Sequence, residues 1–358
     1  MSAKDKITFT TGNGETVEAQ APVIISASRA TDIPAFYAQW FIDRLRSGYT
    51  IWKNPFNQRP VYVSFRNCKV VVFWTKNPKP LMPFLKEFDR MGVHYIFQFT
   101  LNDYEKEGFE PHLPSLSERI ETFQALSNRI GKEKLIWRFD PMIVTPTLPP
   151  SEILKRLSKT GHLLKSYTNR FVFSFVDINN YRKVQRNLIR KSPHFSEKTI
   201  KNAEVTAEQM HELAEGLMQI RKRWNKEGYD ILFASCAEKI DLERYGIKHN
   251  RCIDSEMMKQ VFHEDKALVQ YLNYGALSGY AEEPLAAENH FSSEIHVEKT
   301  LSSQKLSSAE KPLTAEKLKD KGQRKACGCM VSKDIGMYNS CSHFCVYCYA
   351  NCEPAKQL

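Results

Sequence analysis

The chain has 358 residues, of which 42% are hydrophobic and 26% are charged, and this balance excludes collagen-like, wholly disordered and membrane-spanning proteins. The length suits one large domain with an appendage, because α/β barrels commonly form a single domain of this size. Lysine and arginine number 51 against 41 for aspartate and glutamate, so the net charge of +10 permits a polyanionic partner without requiring one.

The first residues lack the apolar core of a secretory signal, and no apolar run approaches the roughly 18 residues of a membrane helix. We therefore expect a cytoplasmic protein with no membrane partner. Thiols stay reduced in the cytoplasm, so the nine cysteines are better interpreted as metal or redox ligands than as a disulfide framework.

Short apolar segments alternate with longer amphipathic segments along the chain, which is the pattern of βα units and predicts an α/β fold. Strands are predicted at 23–28, 70–75, 95–100, 135–140, 171–176 and 231–236, and helices at 35–47, 80–91, 117–130, 151–164 and 207–227. The strands are almost continuously apolar, as strands buried on both faces must be. A further short strand at 61–65 is predicted to pair as a hairpin or an edge. Periodicity alone leaves a doubly wound sheet and a βα barrel both open.

Each predicted strand finishes in polar or ionisable residues. In a barrel these strand ends would meet at the face where active sites are built. The residues of interest there are Ser28, Asp32, Thr75, Lys76, Arg138 and Asp140. The alternative is that strands simply end in polar residues and that Arg138 and Asp140 form a structural ion pair.

The composition divides the chain into three parts. Between 281 and 318 it shifts to serine, alanine, glutamate and lysine, which indicates a flexible linker or insertion, with an amphipathic helix at 309–319 as the alternative. The predicted organisation is a body at 1–280, this linker at 281–318 and a cysteine-rich segment at 319–358.

Three cysteines of the C-terminal segment are spaced C-x3-C-x2-C, in Cys341-Ser-His-Phe-Cys345-Val-Tyr-Cys348. Three thiolates this close can bind three irons of a [4Fe-4S] cube and leave the fourth iron without a protein ligand. A structural zinc would require a fourth ligand, for which His343, Cys352 or a distant residue is available. The spacing favours the iron–sulfur cluster.

The segment 334–350, DIGMYNSCSHFCVYCYA, resembles the cluster motif of radical S-adenosylmethionine enzymes, in particular the subgroup near spore photoproduct lyase, whose motif also ends in Tyr-Cys-Tyr-Ala. The segments 28–34 and 73–77 are similar to the second- and third-strand segments of that subgroup. Its motif usually follows the first strand of a barrel near the N-terminus. The resemblance therefore implies a complete or partial TIM-type βα barrel, circularly permuted so that the strand before Cys341 is its first strand. That strand would insert between 23–28 and the last strand of the barrel.

The whole layout, including the segments 323–329 and 235–238, also resembles a bacterial family known as domain of unknown function 1848. The likeness covers most of the chain apart from 281–318. It implies the fold and the cluster, and it implies no substrate.

The radical S-adenosylmethionine resemblance implies an enzyme in which a [4Fe-4S] cluster and S-adenosylmethionine generate a 5′-deoxyadenosyl radical. The cluster ligands would be Cys341, Cys345 and Cys348. Candidate cofactor-binding residues are Ser28, Asp32, Thr75 and Tyr347, and candidate catalytic residues are Lys76, Arg138 and Asp140. An electron donor such as flavodoxin or ferredoxin would be a partner.

Four other cysteines, on three chain segments, form a possible second metal-binding set. They are Cys236, Cys252, Cys327 and Cys329. Four thiolates match a closed site for a second [4Fe-4S] cluster or for a structural zinc, and their spacing does not distinguish the two. Such a site would fasten the C-terminal segment to the body. The alternative is a group of unrelated free thiols, which is also the interpretation of Cys68.

A small molecule or a peptide is favoured over nucleic acid as the substrate, because no compact basic stripe with stacking aromatic residues is evident. The nearest candidate is the basic stretch 182–191, whose helical spacing is typical of a solvated face. A second hypothesis is a non-catalytic iron–sulfur or zinc module associated with nucleic acid. A third is a barrel hydrolase that uses Asp140 or Asp32 as a general base.

Overall fold

A computed structural model describes residues 6–275, 318–324 and 327–351 of the chain. Residues 281–317 of the predicted linker lie outside these ranges, as does Cys352. No helix within the described ranges is long and apolar enough to cross a membrane.

The described residues form strands and helices that alternate through most of the chain. The strands are β1 (Lys6–Thr10), β2 (Thr16–Gln20), β3 (Ile24–Ala27), β4 (Tyr49–Lys53), β5 (Pro60–Ser64), β6 (Val70–Thr75), β7 (His94–Thr100), β8 (Leu135–Met142), β9 (Arg170–Phe175), β10 (Leu232–Ser235), β11 (Lys248–His249) and β12 (Lys333–Asp334). The α-helices are α1 (Ile33–Phe36), α2 (Ala38–Arg46), α3 (Leu85–Arg90), α4 (Leu116–Ile130), α5 (Pro150–Leu164), α6 (Arg182–Lys191), α7 (Ala207–Lys226), α8 (Ser255–Val261) and α9 (Lys266–Tyr274).

The main sheet contains eight strands in the order β11-β10-β9-β8-β7-β6-β3-β12, and every pairing in it is parallel. The six predicted buried strands are β3 and β6 to β10, so the α/β fold with a parallel sheet is confirmed. From β3 to β11 each new strand adds on the same side of the previous one. The order does not reverse as it does in a doubly wound sheet. β12 returns to the other edge and pairs with β3.

The two faces of this sheet carry different side chains. Val71 and Phe73 point into a large core shared with most of the helices, whereas Val70 and Val72 belong to a second core. The second core is completed by residues of α8 and α9 and by Cys252, Cys329 and Met330. The alternation follows from the two-residue period of a strand. Two cysteines of the second set therefore lie in the apolar layer on one face of the sheet.

A smaller sheet has the order β1-β2-β5-β4. The predicted strand at 61–65 is β5, which pairs with β4 as an antiparallel hairpin and with β2 in parallel. This sheet contacts the C-terminal segment, because the Trp52 indole donates to the Gly336 carbonyl at 3.0 Å and the Lys333 ammonium lies 3.4 Å above the Trp52 ring.

Candidate metal centre

Residues 335–351, the cysteine loop, follow β12 at the carboxyl end of the parallel sheet. Asp334 fixes the start of this loop, since its carboxylate accepts hydrogen bonds from the Ser26 hydroxyl at 2.7 Å and from the Arg29 amide at 2.9 Å. Gly336 allows a close approach to β3. A Cβ at this position would lie only 1.8 Å from Ser28 Oγ.

The cysteine loop is held from several directions. The Tyr37 hydroxyl donates to the Ser340 carbonyl at 2.7 Å, and the Val346 amide donates to the Phe109 carbonyl at 2.9 Å. Phe344, between the first two cysteines of the motif, has a φ of 51° in the left-handed region. A bulky residue rarely adopts this conformation, and such outliers concentrate at functional sites. The contacts therefore impose a turn that the side chain at 344 disfavours.

The three motif cysteines are free thiols on this one loop; Cys345 is buried, and Cys341 and Cys348 are partly exposed. Desolvation raises the pKa of Cys341 to about 12 and raises the pKa values of Cys345 and Cys348 as well. The charge of Cys348 raises the pKa of both Cys341 and Cys345, and the charge of Cys341 also raises that of Cys345, so the three sulfurs lie near one another. These groups become thiolates only if a strong local cation replaces their protons, as a bound metal does.

His343 lies between the motif cysteines, but its ring is held by protein groups. Its Nε2 hydrogen bonds with Asp32 Oδ2 at 2.8 Å, and its ring packs against that of Phe36 in a tilted arrangement with 4.6 Å between the centroids. The predicted zinc alternative with His343 as fourth ligand is therefore not supported by the geometry. A set of three cysteines without this histidine fits a cluster with one open iron.

Asp32, predicted to bind the cofactor, has both carboxylate oxygens occupied within the protein. Oδ1 caps α1 by accepting from the Ala35 amide at 3.0 Å, and Oδ2 accepts from the Lys76 amide at 2.7 Å as well as contacting His343. Asp32 thus joins the ends of β3 and β6 to the cysteine loop. Of the other predicted cofactor contacts, Ser28 lies against Gly336, and the Thr75 hydroxyl accepts from the Asn77 amide at 3.0 Å.

Lys76 and Tyr347 meet at a buried carboxylate that the sequence did not indicate. Glu110 Oε1 accepts from Lys76 Nζ at 2.7 Å, from Asn102 Nδ2 at 2.9 Å and from the Tyr347 hydroxyl. Its side chain is only 3% exposed, and Arg119 lies 3.6 Å from the other carboxylate oxygen. Burial opposes ionisation of Glu110, yet the charges of Lys76 and Arg119 hold its pKa below the usual value.

Glu110 follows Phe109 in the connection between β7 and α4, where no periodic pattern marks it as buried. Lys76 Nζ also donates to the Tyr347 hydroxyl at 2.8 Å, so the aromatic residue of the motif is tied to the end of β6. These contacts place the buried ammonium group of Lys76 beside Cys345, where its charge favours the thiolate form of that residue.

The structure brings the four cysteines of the second set together. Cys236 Sγ lies 3.5 Å from Cys252 Sγ, and Cys329 Sγ accepts from the Cys252 amide at 3.2 Å. Cys327 and Cys329 are also within hydrogen-bonding reach of each other. Hydrogen bonds from Cys236 and Cys329 lower the pKa of Cys252 well below its usual value, and a bond from Cys329 lowers the pKa of Cys327 to about 6. The four sulfurs therefore form one continuous chain of contacts.

Arg138 connects this second set to the end of β8. Its Nη1 donates to Cys252 Sγ at 3.2 Å and to Gln98 Oε1 at 3.0 Å, and its Nε donates to Asp140 Oδ2 at 3.0 Å. The side chain is 3% exposed. Asp140 also accepts from the Ser174 hydroxyl. The predicted alternative of an Arg138–Asp140 ion pair is thus observed, and the pair lies beside the second set of cysteines.

The predicted site residues therefore separate into two groups. Ser28, Asp32 and Lys76 lie around the cysteine loop, which contains Tyr347, while Arg138 and Asp140 border the second set. Among the described residues, no three His, Cys, Asp or Glu side chains are placed to hold a metal ion together.

The profile of the family described as Domain of unknown function (DUF1848) matches residues 24–350, and the chain therefore belongs to this family. The matched range begins at β3 and ends in the cysteine loop, so it contains every described cysteine of both sets. No curated protein and no solved structure matches the chain.

Proposed function

We propose that the protein is a radical S-adenosylmethionine enzyme that binds a [4Fe-4S] cluster through Cys341, Cys345 and Cys348. The observation that carries this proposal is the cysteine loop, which presents three thiols at the carboxyl end of a parallel sheet while its histidine is held by Asp32. When bound, the cluster and S-adenosylmethionine supply one-electron cleavage of a sulfur–carbon bond, which gives methionine and a 5′-deoxyadenosyl radical.

We further propose that the main sheet is a partial TIM-type barrel, circularly permuted with β12 as its first strand. Two features support this. The strand order runs in one direction from β3 to β11, and β12 pairs with β3 through Lys333 opposite Ile25 and Asp334 opposite Ser26. The cysteine loop then follows the first strand in space, as it does along the chain in the enzymes that its motif resembles.

The residues around the loop have distinct proposed roles. Asp32 positions the loop, and Ser28 and Thr75 remain our candidates for cofactor contacts at the strand ends. Lys76 supplies a positive charge beside Cys345 and is held in place by Glu110. A carboxylate of the cofactor or of a substrate is the group that such a charge would neutralise.

Tyr347 remains our candidate for contact with the cofactor, and Arg138 and Asp140 remain candidates for catalysis near the substrate. The substrate that we propose is a small molecule or a peptide, and the compartment is the cytoplasm. Arg138 donates to Asp140, Gln98 and Cys252 within the protein. We therefore propose that Asp140, whose side chain is 25% exposed, makes the contact with substrate.

The second cysteine set is proposed to hold a second [4Fe-4S] cluster or a zinc ion. The separation of 3.5 Å between Cys236 Sγ and Cys252 Sγ is close to the distance of about 3.8 Å between two ligands of a tetrahedral zinc with 2.3 Å bonds. A cluster would require these sulfurs to move apart. Metal content after reconstitution decides between the two, because eight irons indicate two clusters, and four irons with one zinc indicate a mixed pair.

The test is anaerobic reconstitution with iron and sulfide, followed by addition of S-adenosylmethionine and dithionite and measurement of 5′-deoxyadenosine. We expect formation by the wild type and none by Cys345→Ala. Cys68→Ala is the matched control, because Cys68 is a buried thiol outside both sets. A protein that takes up only zinc and never cleaves S-adenosylmethionine would contradict the proposal and indicate a non-catalytic metal-binding module.

A further inference from the structure

The outer face of α6 carries three exposed arginines in line. Arg182, Arg186 and Arg190 are four residues apart, so they project from one side of the helix along about 12 Å. The ten residues of α6 include no acidic residue. None of the three arginines forms an ion pair or a hydrogen bond with a described residue. We call these three side chains the arginine face.

The inner face of α6 packs directly on the cysteine loop. Asn187 is buried, and its Nδ2 donates to the Asn351 carbonyl at 2.8 Å and to the Cys348 carbonyl at 3.3 Å. Val184 and Leu188 are buried on the same side of the helix. The arginine face is therefore separated from the third motif cysteine by a single helix.

Two lysines extend the positive charge from α6 over the loop itself. The Lys183 ammonium lies 5.6 Å from the centroid of the Tyr338 ring, and the Lys191 ammonium lies 5.8 Å from that of Phe344. Both rings belong to the cysteine loop, and Phe344 stands beside Cys345 in the chain. The positive surface thus covers the loop from its start to its middle.

We propose that the arginine face is the docking surface for an acidic one-electron carrier protein of the flavodoxin or ferredoxin type. The inference rests on the proposed function, which requires a cluster at the cysteine loop. One electron leaves the reduced carrier and enters that cluster, so the carrier is oxidised by one electron, the cluster is reduced by one, and no atom is transferred. Electron transfer slows steeply with distance, and the arginine face holds an acidic surface close to the loop. Complementary charge also speeds the encounter.

Single-stranded nucleic acid fits the same surface less well. Its bases need free aromatic faces on which to stack. Tyr349 instead packs against Tyr181 at 5.6 Å and against Tyr338 at 6.3 Å between ring centroids. Tyr338 and Tyr349 are exposed, at 37% and 38%, but the Lys183 ammonium lies over the Tyr338 ring. The surface is a compact charged patch rather than a groove lined by free rings.

The first test measures binding of a fluorescently labelled acidic flavodoxin to the full chain by anisotropy, at low and at physiological salt. The variant R182E/R186E/R190E should bind at least tenfold more weakly than the wild type at low salt, and wild-type affinity should fall as salt rises. The matched control K159E/K222E/K226E makes the same charge change at exposed positions of α5 and α7 and should stay within twofold of the wild type. The neutral variant R182Q/R186Q/R190Q should fall between these two.

The second test separates docking from chemistry. Reconstituted R182E/R186E/R190E should form 5′-deoxyadenosine at the wild-type rate with dithionite and at least tenfold more slowly with reduced flavodoxin. If the wild type forms none with dithionite, the proposed function fails, while the binding comparison still reports on the docking surface. Three results would overturn the docking proposal: no flavodoxin binding by the wild type, equal binding by the charge-reversed variant, or binding of a single-stranded oligonucleotide in preference to flavodoxin.

Discussion

At the scale of single residues, the buried carboxylate of Glu110 organises the groups next to the cysteine loop. One of its oxygens accepts from Lys76, Asn102 and Tyr347, and Arg119 faces the other. Two cations are thus balanced by one anion inside the protein. Removal of that anion leaves both cations uncompensated, which costs far more than loss of an exposed pair.

We expect Glu110→Gln to lower the free energy of unfolding by about 3–5 kcal/mol, measured by urea denaturation. It should also lower the iron bound after reconstitution, because Tyr347 and Lys76 lose the group that positions them. Glu107→Gln is the matched control, since Glu107 is a buried partner of Arg156. That variant should be destabilised without loss of iron. Equal iron content in the two variants would contradict a role for Glu110 at the loop.

The sequence indicates the residues of this site only where a motif or a strand end marks them. Lys76 follows a predicted strand and Tyr347 lies inside the cysteine motif, so both are identified. Glu110 and Arg119 are not, because a charged residue in a connection or on a helix is usually exposed, and only tertiary packing buries it. Cys236 and Cys252 enter one set because they remain after the motif cysteines are assigned, but no sequence pattern indicates the contact between Arg138 and Cys252.

At the scale of elements, the pairing of β12 with β3 places the cysteine loop at the carboxyl end of the main sheet. β12 has only two residues. The close approach of the start of the cysteine loop to the end of β3 therefore depends on the absence of a side chain at Gly336. The sequence predicts β3 and β6 to β10 because each lies in an almost continuous apolar run. It does not predict β1, β2 and β4, which are half-exposed and contain no long apolar run, although polar and apolar residues alternate in β1 and β2 with the two-residue period of a strand.

Gly336→Ala should destabilise the protein by roughly 2 kcal/mol, because its new methyl group would meet Ser28 and force β12 away from β3. Hydrogen exchange at the Ile335 amide, which donates to the Ser26 carbonyl at 3.2 Å, should become faster. Gly12→Ala is the control, since a methyl group there meets no atom within 4 Å. Unchanged exchange at Ile335 in Gly336→Ala would show that the strand end tolerates the added volume.

His94 joins the start of β7 to the first turn of α9 and gives this contact a pH dependence. Its Nε2 hydrogen bonds with Asp265 Oδ2 at 3.0 Å, while Asp265 Oδ1 caps α9 at the Leu268 amide. Burial lowers the pKa of His94 below its ordinary value, although Asp265 opposes this. The folded protein therefore binds this proton less readily than the unfolded chain does, and the stabilisation is present above about pH 6.5 and lost as pH falls.

We expect the free energy of unfolding to decline less steeply between pH 7 and pH 5 in His94→Gln than in the wild type. The difference in slope should not exceed about 1.4 kcal/mol per pH unit, the limit for one proton. Urea denaturation at three pH values measures it. A steeper decline in the variant than in the wild type would contradict the sign of this assignment.

At the scale of the whole molecule, the second cysteine set joins parts of the chain that lie far apart in sequence. Cys236 follows β10, Cys252 precedes α8, and Cys329 comes just before β12 in the C-terminal segment. A backbone hydrogen bond also holds the C-terminal segment, since the Met330 amide donates to the Ile253 carbonyl at 3.0 Å. The cysteine loop therefore lies beside β3, while the segment that precedes it is held to the second core by the contacts of Cys329 and Met330.

This arrangement predicts that the two cysteine sets are coupled through the segment between them. With a metal bound as we propose, Cys329→Ser should remove it from the second set and lower the midpoint of thermal unfolding by at least about 5 °C, because metal binding contributes directly to folding. The amides of residues 330–335 should exchange faster, and iron at the cysteine loop should be retained less well. Cys68→Ala, which changes a buried thiol outside both sets, should leave metal content and these amides unchanged. Loss of the second metal with no change at residues 330–335 would mean that the apolar contacts of Met330 hold the segment by themselves.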